Sequence, residues 1–164
     1  TNVLRTLGKK WAAVVFLCDV AKGFVVVLAT LHLTDSVIWT AIMPVPVIMG
    51  HNYPIFSGFK GGKGVATALG AYLAMMPPAA ALAFATWLGV VALWRYVSVG
   101  SIVGCFSASL YGYLFGYPRE IVIVCLVGGF FIMCRHKGNL RRLLDGAEPR
   151  IGQKVDLAPT PSER

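Results

Sequence analysis

The sequence is poor in charged residues, and acids are the scarcest of them. Only 13% of the 164 residues are charged, and Asp and Glu together number seven. A soluble domain usually carries about 25% charged residues, so this composition argues against an ordinary water-exposed surface. The four cysteines lie in apolar runs, without a CxxC pair or a Cys/His cluster. This spacing indicates neither a disulfide framework nor a zinc site. We interpret the cysteines as small buried residues and expect no metal or cofactor.

What the sequence has in excess is apolar surface. Hydrophobic residues make up 57% of the chain, and the mean hydropathy is +0.70. One small core could not bury so much, so lipid is the expected solvent. We predict an all-α, polytopic transmembrane helical bundle of about six spans. The six apolar segments are roughly 11–31, 37–50, 64–76, 78–94, 97–116 and 120–134.

These segments differ in length. A straight span needs about 20 residues, with about 17 to 25 usual; the first, fourth and fifth segments fall in that range and the others are shorter. Pro77 and Pro78 interrupt an apolar run of roughly thirty residues. We predict a tight hairpin between two helices at that point. A single kinked helix is the alternative.

The basic residues are unevenly distributed between the predicted loops. If the chain starts in the cytoplasm, six crossings return its C-terminus there, and the outer loops carry only Arg119. The inner segments carry thirteen of the fifteen basic residues, namely Arg5, Lys9, Lys10, Lys60, Lys63, Arg95, Arg135, Lys137, Arg141, Arg142, Arg150, Lys154 and Arg164. The positive-inside rule therefore supports this topology and explains most of the net charge of +8. Little support remains for nucleic-acid binding.

Asp19 and Lys22 are the ionisable residues that lie well inside a predicted span. Three positions apart, they share a helix face and can neutralise each other. Charges inside a bilayer are costly and often mark a functional site. A structural ion pair that locks the helix into the bundle is the alternative.

The segment from His51 to Thr67, HNYPIFSGFKGGKGVAT, is the most informative in the chain. Its glycines allow sharp turns and close backbone approach, so successive N–H groups can converge on an anion before a helix N-terminus. Lys63 adds a full positive charge. The Walker A pattern fails, because three residues separate Gly58 from Gly62-Lys63 and Gly64 replaces the Ser/Thr. A flexible basic connector is the alternative.

Two further basic segments lie on the predicted inner side. RHKGNLRRLLDGAEPRI (135–151) follows the last span, and in it His136 and Asn139 would point the same way if the helix continued. The alternative is a juxtamembrane basic stop that attracts anionic lipid. The turn RYVSVGS (95–101) offers hydroxyls at Ser98 and Ser101, which could bind phosphate or cap the next helix.

The catalytic patterns of soluble acyl transfer are missing. Neither His51 nor His136 begins a His-x4-Asp arrangement, and the sequence has no Gly-x-Ser-x-Gly elbow. No carboxylate pair on the inner side has a clear acid–base role. An enzyme built from these residues would work mainly by binding and orienting charged substrates.

The motifs together resemble the bacterial acyl-phosphate:glycerol-3-phosphate acyltransferases. GHNYPIFSGFKGGKGVAT (50–67) is similar to the central signature of that family, and RHKGNLRRLLDGAEPRIG (135–152) to its C-terminal motif. TNVLRTLGKKWA and DVAKG, near the start, resemble the end of its first cytoplasmic loop and its second span. RYVSVGSI (95–102) matches the turn between. The matches follow the family order and extend over nearly the whole chain.

The resemblance implies a fold and a reaction. The family is a seven-span enzyme of the bacterial cytoplasmic (inner) membrane with its active site facing the cytoplasm. It transfers a fatty acyl group from acyl phosphate to the primary hydroxyl of glycerol 3-phosphate, giving lysophosphatidic acid and phosphate. We expect residues 1–155 to form one membrane-embedded domain that lacks the first helix of the family. Residues 156–164 would form a loose polar tail.

The resemblance also implies roles for individual residues. Lys63, His136 and Asn139 are the expected catalytic residues. Lys63, with the backbone around it, would hold a phosphate and polarise the acyl carbonyl. The expected substrate-binding residues are Asn2, Arg5, Gly61, Gly62, Gly64 and Ser101. Acyl phosphate has a good leaving group, so a phosphate could take the hydroxyl proton without an enzymic base. The expected partners are the two substrates and membrane lipid, with no nucleic acid.

Two other functions compete with this hypothesis. A transporter or channel for a phosphate-bearing solute should show internal repeats and a basic site near the midplane. Only Asp19 and Lys22 favour that function, and no repeat is visible. A non-catalytic membrane subunit that recruits anionic lipid needs the basic C-terminal segment but not the glycines.

Overall fold

The computed structural model describes residues 2–153. Within that range the protein is all-helical, as predicted, with no strand and one short 3₁₀ helix, Ile55–Ser57. The predicted tail, 156–164, lies outside the described residues. The α-helices are α1 (Asn2–Thr6), α2 (Gly8–Leu33), α3 (Val37–Ile42), α4 (Pro44–Asn52), α5 (Val65–Met75), α6 (Pro77–Trp94), α7 (Val97–Leu114), α8 (Arg119–Arg135) and α9 (Lys137–Leu144).

Each predicted apolar segment falls on helical chain. The second segment is divided at Met43, because Pro44 starts a new helix there. By length and composition, α2, α6 and α7 can cross a membrane, and α8 with α9 makes a fourth candidate bent by 59°. The helix α5 is apolar but has only 11 residues. The count of six spans therefore remains a prediction.

Large apolar side chains cover the outside of the bundle. In α2 only Gly23, Val27 and Thr30 are buried, although the helix has 26 residues. Leu17 is 64% exposed and Val127 on α8 is 61% exposed. Patches of this extent are not left facing water by monomeric soluble proteins. The surface therefore fits an integral membrane protein.

The most extensive helix–helix contact in the described part of the chain joins α2 to α5, and two glycines permit it. A β-carbon on Gly23 would overlap the carbonyl oxygen of Thr67, and one on Gly70 would overlap the carbonyl oxygen of Val20. Small residues allow membrane helices to approach in this way, where packing rather than water exclusion drives association. This contact fixes the start of α5, and so the end of the glycine-rich segment, against α2.

We expect Gly70→Ala to destabilise the bundle by about 2 kcal/mol, because the added methyl group pushes α5 away from the α2 backbone. Thermal unfolding of the purified protein in detergent measures the change. Gly89→Ala is the matched control, since nothing lies within 4 Å of a β-carbon built at that position on α6. An unchanged unfolding temperature for Gly70→Ala would contradict the contact.

Pro77 and Pro78 separate two helices, as predicted. The break is the single residue Met76, after which both prolines occupy the first turn of α6. Proline is tolerated there because the first N–H groups of a helix have no intrahelical acceptor. Met76 itself is fully buried in the core to which helices α2–α8 contribute.

The four cysteines differ in their exposure. Cys105 and Cys125 are buried, as expected, and all four residues are free thiols. Cys18 and Cys134 are exposed on the helix surface. The prediction of burial was therefore wrong for these two, because an apolar run facing lipid has the same composition as one facing the core.

Candidate active site

One large cavity lies where the basic segments of the sequence meet. Its volume is about 1260 Å³, and it is formed by α2, the segment from α4 to α5, α6, α7 and the region around α8 and α9. One part of its wall is apolar and includes Phe84, Trp87 and Ala108. The polar and charged side chains that line it are Asp19, Lys22, His51, Ser57, Lys60, Lys63, Tyr72, Ser98, Ser101, Arg135, His136, Asn139, Arg142 and Glu148.

The glycine-rich segment forms a tight loop that ends at α5. After the 3₁₀ helix, Gly58 adopts a left-handed conformation, and Gly64 does so again at φ 82° as the N-cap of α5. Only glycine takes this conformation without strain. Gly61, Gly62, Lys63 and Gly64 all line the cavity. The prediction of a basic glycine loop before a helix N-terminus is confirmed.

Lys63 and Asn139, predicted from two distant motifs, are in direct contact. The Lys63 ammonium donates a hydrogen bond of 2.5 Å to the Asn139 side-chain oxygen. The Asn139 amide nitrogen donates in turn to Glu148, at 2.7 Å. The Lys63 ammonium is thus held in place by Asn139, which is itself held by the Glu148 carboxylate.

Glu148 is the residue that the sequence interpretation missed. It is 7% exposed and also accepts hydrogen bonds from Ser98, at 2.8 Å, and Arg142, at 2.9 Å. Burial raises the pKa of the Glu148 carboxyl, but the hydrogen bonds from Asn139, Ser98 and Arg142 outweigh burial and hold the pKa below its usual value. The one signal in the sequence was an acid in a strongly basic segment.

His136 lies at the bend between α8 and α9 and is 2% exposed. Its Nδ1–H donates to the Ile132 carbonyl oxygen at 2.8 Å, which leaves Nε2 as an acceptor in the neutral ring. Burial lowers the pKa of the imidazole, and the nearby Lys63 charge lowers it further, against the opposing hydrogen bond to Ile132. His136 and Asn139 share the cavity, as expected, although the helix bends between them instead of continuing.

We expect His136 to remain neutral as the pH falls below 6.5, the usual pKa of histidine. The sign follows from burial and the Lys63 charge, both of which disfavour the imidazolium. NMR titration of ring-labelled histidine measures it, with His136→Gln to assign the signal. A His136 midpoint above 6.5 would contradict the prediction.

Ser101 lines the cavity, but neither it nor Ser98 caps the helix. Both lie inside α7, whose N-cap is Tyr96 without a side-chain cap. Ser101 Oγ donates to the Val97 carbonyl oxygen at 2.8 Å, and the Trp87 indole nitrogen approaches Ser101 Oγ at 3.4 Å. The capping alternative was therefore wrong for both residues.

Arg135 connects the end of α8 to the glycine loop. Its guanidinium donates to the Gly62 carbonyl oxygen at 3.1 Å and lies 4.9 Å from the centre of the Tyr53 ring. Asn2 and Arg5 lie on α1, and their side chains are outside the part that the structure describes. Their roles as substrate-binding residues therefore stay predictions.

The predicted Asp19–Lys22 pair is present, and it has a third member. Asp19 Oδ1 is 2.9 Å from the Lys22 ammonium and 3.4 Å from Nδ1 of His51, at the end of α4. The absence of a His-x4-Asp motif thus did not exclude a carboxylate–imidazole pair, because its members come from separate helices.

A helical membrane protein with a lysine, a buried histidine and a glycine loop around one cavity belongs to the class of integral membrane proteins that handle anionic substrates. A family model described as glycerol-3-phosphate acyltransferase matches residues 1–146. The chain belongs to this family.

Individual relatives agree with the family model. A glycerol-3-phosphate acyltransferase of Aquifex aeolicus is 43% identical over 92% of this chain and 79% of its own length. One from a Synechococcus strain is 42% identical over 97% of the chain and 78% of its own length. The crystal structure of PlsY, an integral membrane glycerol 3-phosphate acyltransferase, in its glycerol 3-phosphate form has a TM-score of 0.88 at 43% identity. That match covers 92% of this chain and 76% of the other. The lysophosphatidic acid form scores 0.87 and covers 92% and 78%.

Proposed function

We propose that this enzyme, a glycerol-3-phosphate acyltransferase that makes lysophosphatidic acid, takes its acyl group from acyl phosphate. The proposal rests on one observation, namely that a basic surface and an apolar surface line the same cavity. A glycine loop with Lys63 lies at one part of the wall, and an apolar wall with Phe84 and Ala108 lies at another. Acyl phosphate has a phosphate for the first surface and a fatty chain for the second.

The residues around the loop suit phosphate recognition. Backbone N–H groups at a helix N-terminus attract anions, and α5 begins directly after Gly64. Lys63 supplies a full charge that can polarise the acyl carbonyl and stabilise the charge that develops on its oxygen. Arg5 would pair with a phosphate. Ser101, His136 and Asn139 would orient glycerol 3-phosphate and its primary hydroxyl.

The reaction can proceed without an enzymic base. The hydroxyl oxygen attacks the carbonyl carbon, the bond from that carbon to the phosphate oxygen breaks, and the phosphate leaves. The proton of the hydroxyl passes to a phosphate oxygen, either on the leaving group or on glycerol 3-phosphate itself. Positioning two bound substrates in this way can supply much of the rate enhancement. Neutral His136, with Nε2 as an acceptor, suits a role in orienting the hydroxyl.

We further propose that the protein lies in the bacterial inner membrane with the cavity open to the cytoplasm. The cavity is lined by Lys60, Lys63, Arg135 and Arg142, and the positive-inside rule places such residues in the cytoplasm. A cysteine introduced at Asp35, between α2 and α3, should react with a membrane-impermeant thiol reagent from the outside only. The background for this test is a variant without native cysteines. Reaction from the cytoplasmic side would overturn the orientation.

A donor comparison tests the function. The purified protein in lipid nanodiscs receives labelled glycerol 3-phosphate with acyl phosphate, or with the acyl-coenzyme A of the same chain. We expect labelled lysophosphatidic acid with acyl phosphate alone. Product formed from the thioester and not from acyl phosphate would overturn the proposed donor. No product from either would overturn the acyltransferase reaction itself.

A further inference from the structure

We propose that Asp19 and His51 are positioning residues that hold the Gly61–Gly64 loop in the shape that receives phosphate. The inference rests on the proposed function, because it assigns these residues to the phosphate subsite of the same reaction. It concerns the wall of that subsite, not the groups that contact the substrate.

Asp19 occupies an unfavourable place for a carboxylate. It lies in the middle of α2, the longest apolar helix of the described chain, and a charge inside a membrane segment persists only where other groups compensate it. Lys22 at 2.9 Å and His51 at 3.4 Å supply that compensation. Lys22 is 58% exposed, whereas the Asp19 and His51 side chains are 14% and 15% exposed. Of the two contacts of the Asp19 carboxylate, the one with the His51 imidazole is therefore the more shielded from solvent.

The opposite edge of the His51 ring lies against the glycine loop. A β-carbon on Gly62 would overlap Nε2 of His51, and one on Gly61 would overlap the His51 carbonyl oxygen. The imidazole is thus held between a carboxylate on α2 and the backbone of Gly62. If the ring moved, it would either press on Gly62 or leave a gap beside it, and the loop N–H groups proposed to bind phosphate would shift.

The neighbouring Asn52 secures both ends of the same loop. Its carbonyl oxygen accepts a hydrogen bond from Gly61 N–H at 3.2 Å, and its fully buried side chain lies within 3.0 Å of the place that a β-carbon on Gly64 would take. The C-terminal end of α4 therefore supports the Gly61–Gly64 loop. Asp19 restrains this end of α4 through its contact with the His51 ring.

Two observations separate positioning from other roles. The His51 ring lines the cavity, but its Nδ1 faces the Asp19 carboxylate and its Nε2 lies beside the backbone of Gly62, so both ring nitrogens adjoin protein groups, which favours positioning over action as a base on the substrate. The α2–α5 contact is made independently by Gly23 and Gly70, so the helices do not need the Asp19–His51 pair to associate. Loss of the pair should then alter the loop while leaving the bundle assembled.

Steady-state kinetics of Asp19→Asn and His51→Ala test the proposal. We expect the KM for glycerol 3-phosphate or acyl phosphate to rise about tenfold, which corresponds to about 1.4 kcal/mol of lost binding free energy. We expect kcat to stay within about threefold, because the reacting groups are retained. Cys18→Ala, an exposed position next to Asp19 on α2, is the matched control. The milder Asp19→Asn keeps the side-chain shape, and its unfolding temperature verifies that the bundle is intact.

A coupling measurement gives a result that a purely structural role would not produce. Gly62→Ala should impair binding strongly in the wild-type background, because its methyl group meets the imidazole. In the His51→Ala background that obstacle is gone, so we expect Gly62→Ala to add less than about threefold to the KM there. Additive effects of the two substitutions would overturn the proposal. So would wild-type KM values for Asp19→Asn and His51→Ala in a protein that makes lysophosphatidic acid. Wild-type protein that makes none would overturn the proposed function instead.

Discussion

Lys63→Ala is expected to reduce the rate of acyl transfer about a thousandfold, which corresponds to about 4 kcal/mol of lost transition-state stabilisation. The side chain carries the one full charge within the Gly61–Gly64 loop, and it is oriented by the 2.5 Å hydrogen bond to Asn139. Its removal leaves developing negative charge on the carbonyl oxygen and on the leaving phosphate without their cation. Formation of labelled lysophosphatidic acid from acyl phosphate measures the loss.

Lys137→Ala is the matched control, because it removes the same charge from an exposed position outside the cavity wall. Lys63→Arg keeps the charge but replaces a compact ammonium with a longer planar fork, so we expect activity between those of the wild type and Lys63→Ala. If Lys63→Ala kept wild-type turnover while its unfolding temperature was unchanged, the assignment of Lys63 to catalysis would be wrong.

The features that the sequence predicted are those that local patterns determine. Apolar runs locate helices well, and the break at Pro77 follows from the missing N–H of proline. The glycines near Lys63 predicted a turn before a helix, and Gly64 does cap α5. The divided second segment was missed, because Pro44 lies within an apolar run that looks continuous.

The features that the sequence missed depend on contacts between distant parts of the chain. Glu148 meets Ser98 from 50 positions away, and Asp19 meets His51 from another helix. No periodicity or spacing encodes such a meeting, since tertiary packing alone brings these groups together. Lys63 and His136, which the sequence motifs pointed to, do line the cavity, and their chemical roles stay predictions. Glu148, which contacts Asn139, and Asp19, which contacts His51, were not assigned to the site.

Glu148→Ala is expected to destabilise the protein by about 3 kcal/mol and to abolish most activity. Removing a buried acceptor leaves its donors without a partner, and here Ser98 and Asn139 lose Glu148 inside the protein, whereas the half-exposed Arg142 can turn to water. Asn139 then no longer holds Lys63 in a fixed direction. Thermal unfolding and lysophosphatidic acid formation measure the two effects. Glu120→Gln is the control, because its side chain is 44% exposed.

The pH dependence of stability distinguishes the charge of Glu148 from its shape. Its pKa is lowered in the folded protein, so its carboxylate stabilises the fold above the usual value of 4.5 and loses that contribution as the pH falls through the folded value. Glu148→Gln keeps an oxygen acceptor for Asn139 or Ser98 but has no charge for Arg142. We expect Glu148→Gln to unfold at lower temperature at neutral pH, and the difference from wild type to shrink as the pH falls below 4.5. A difference that is constant with pH would mean that the shape of the side chain, and not its charge, holds α9 and Asn139 in place.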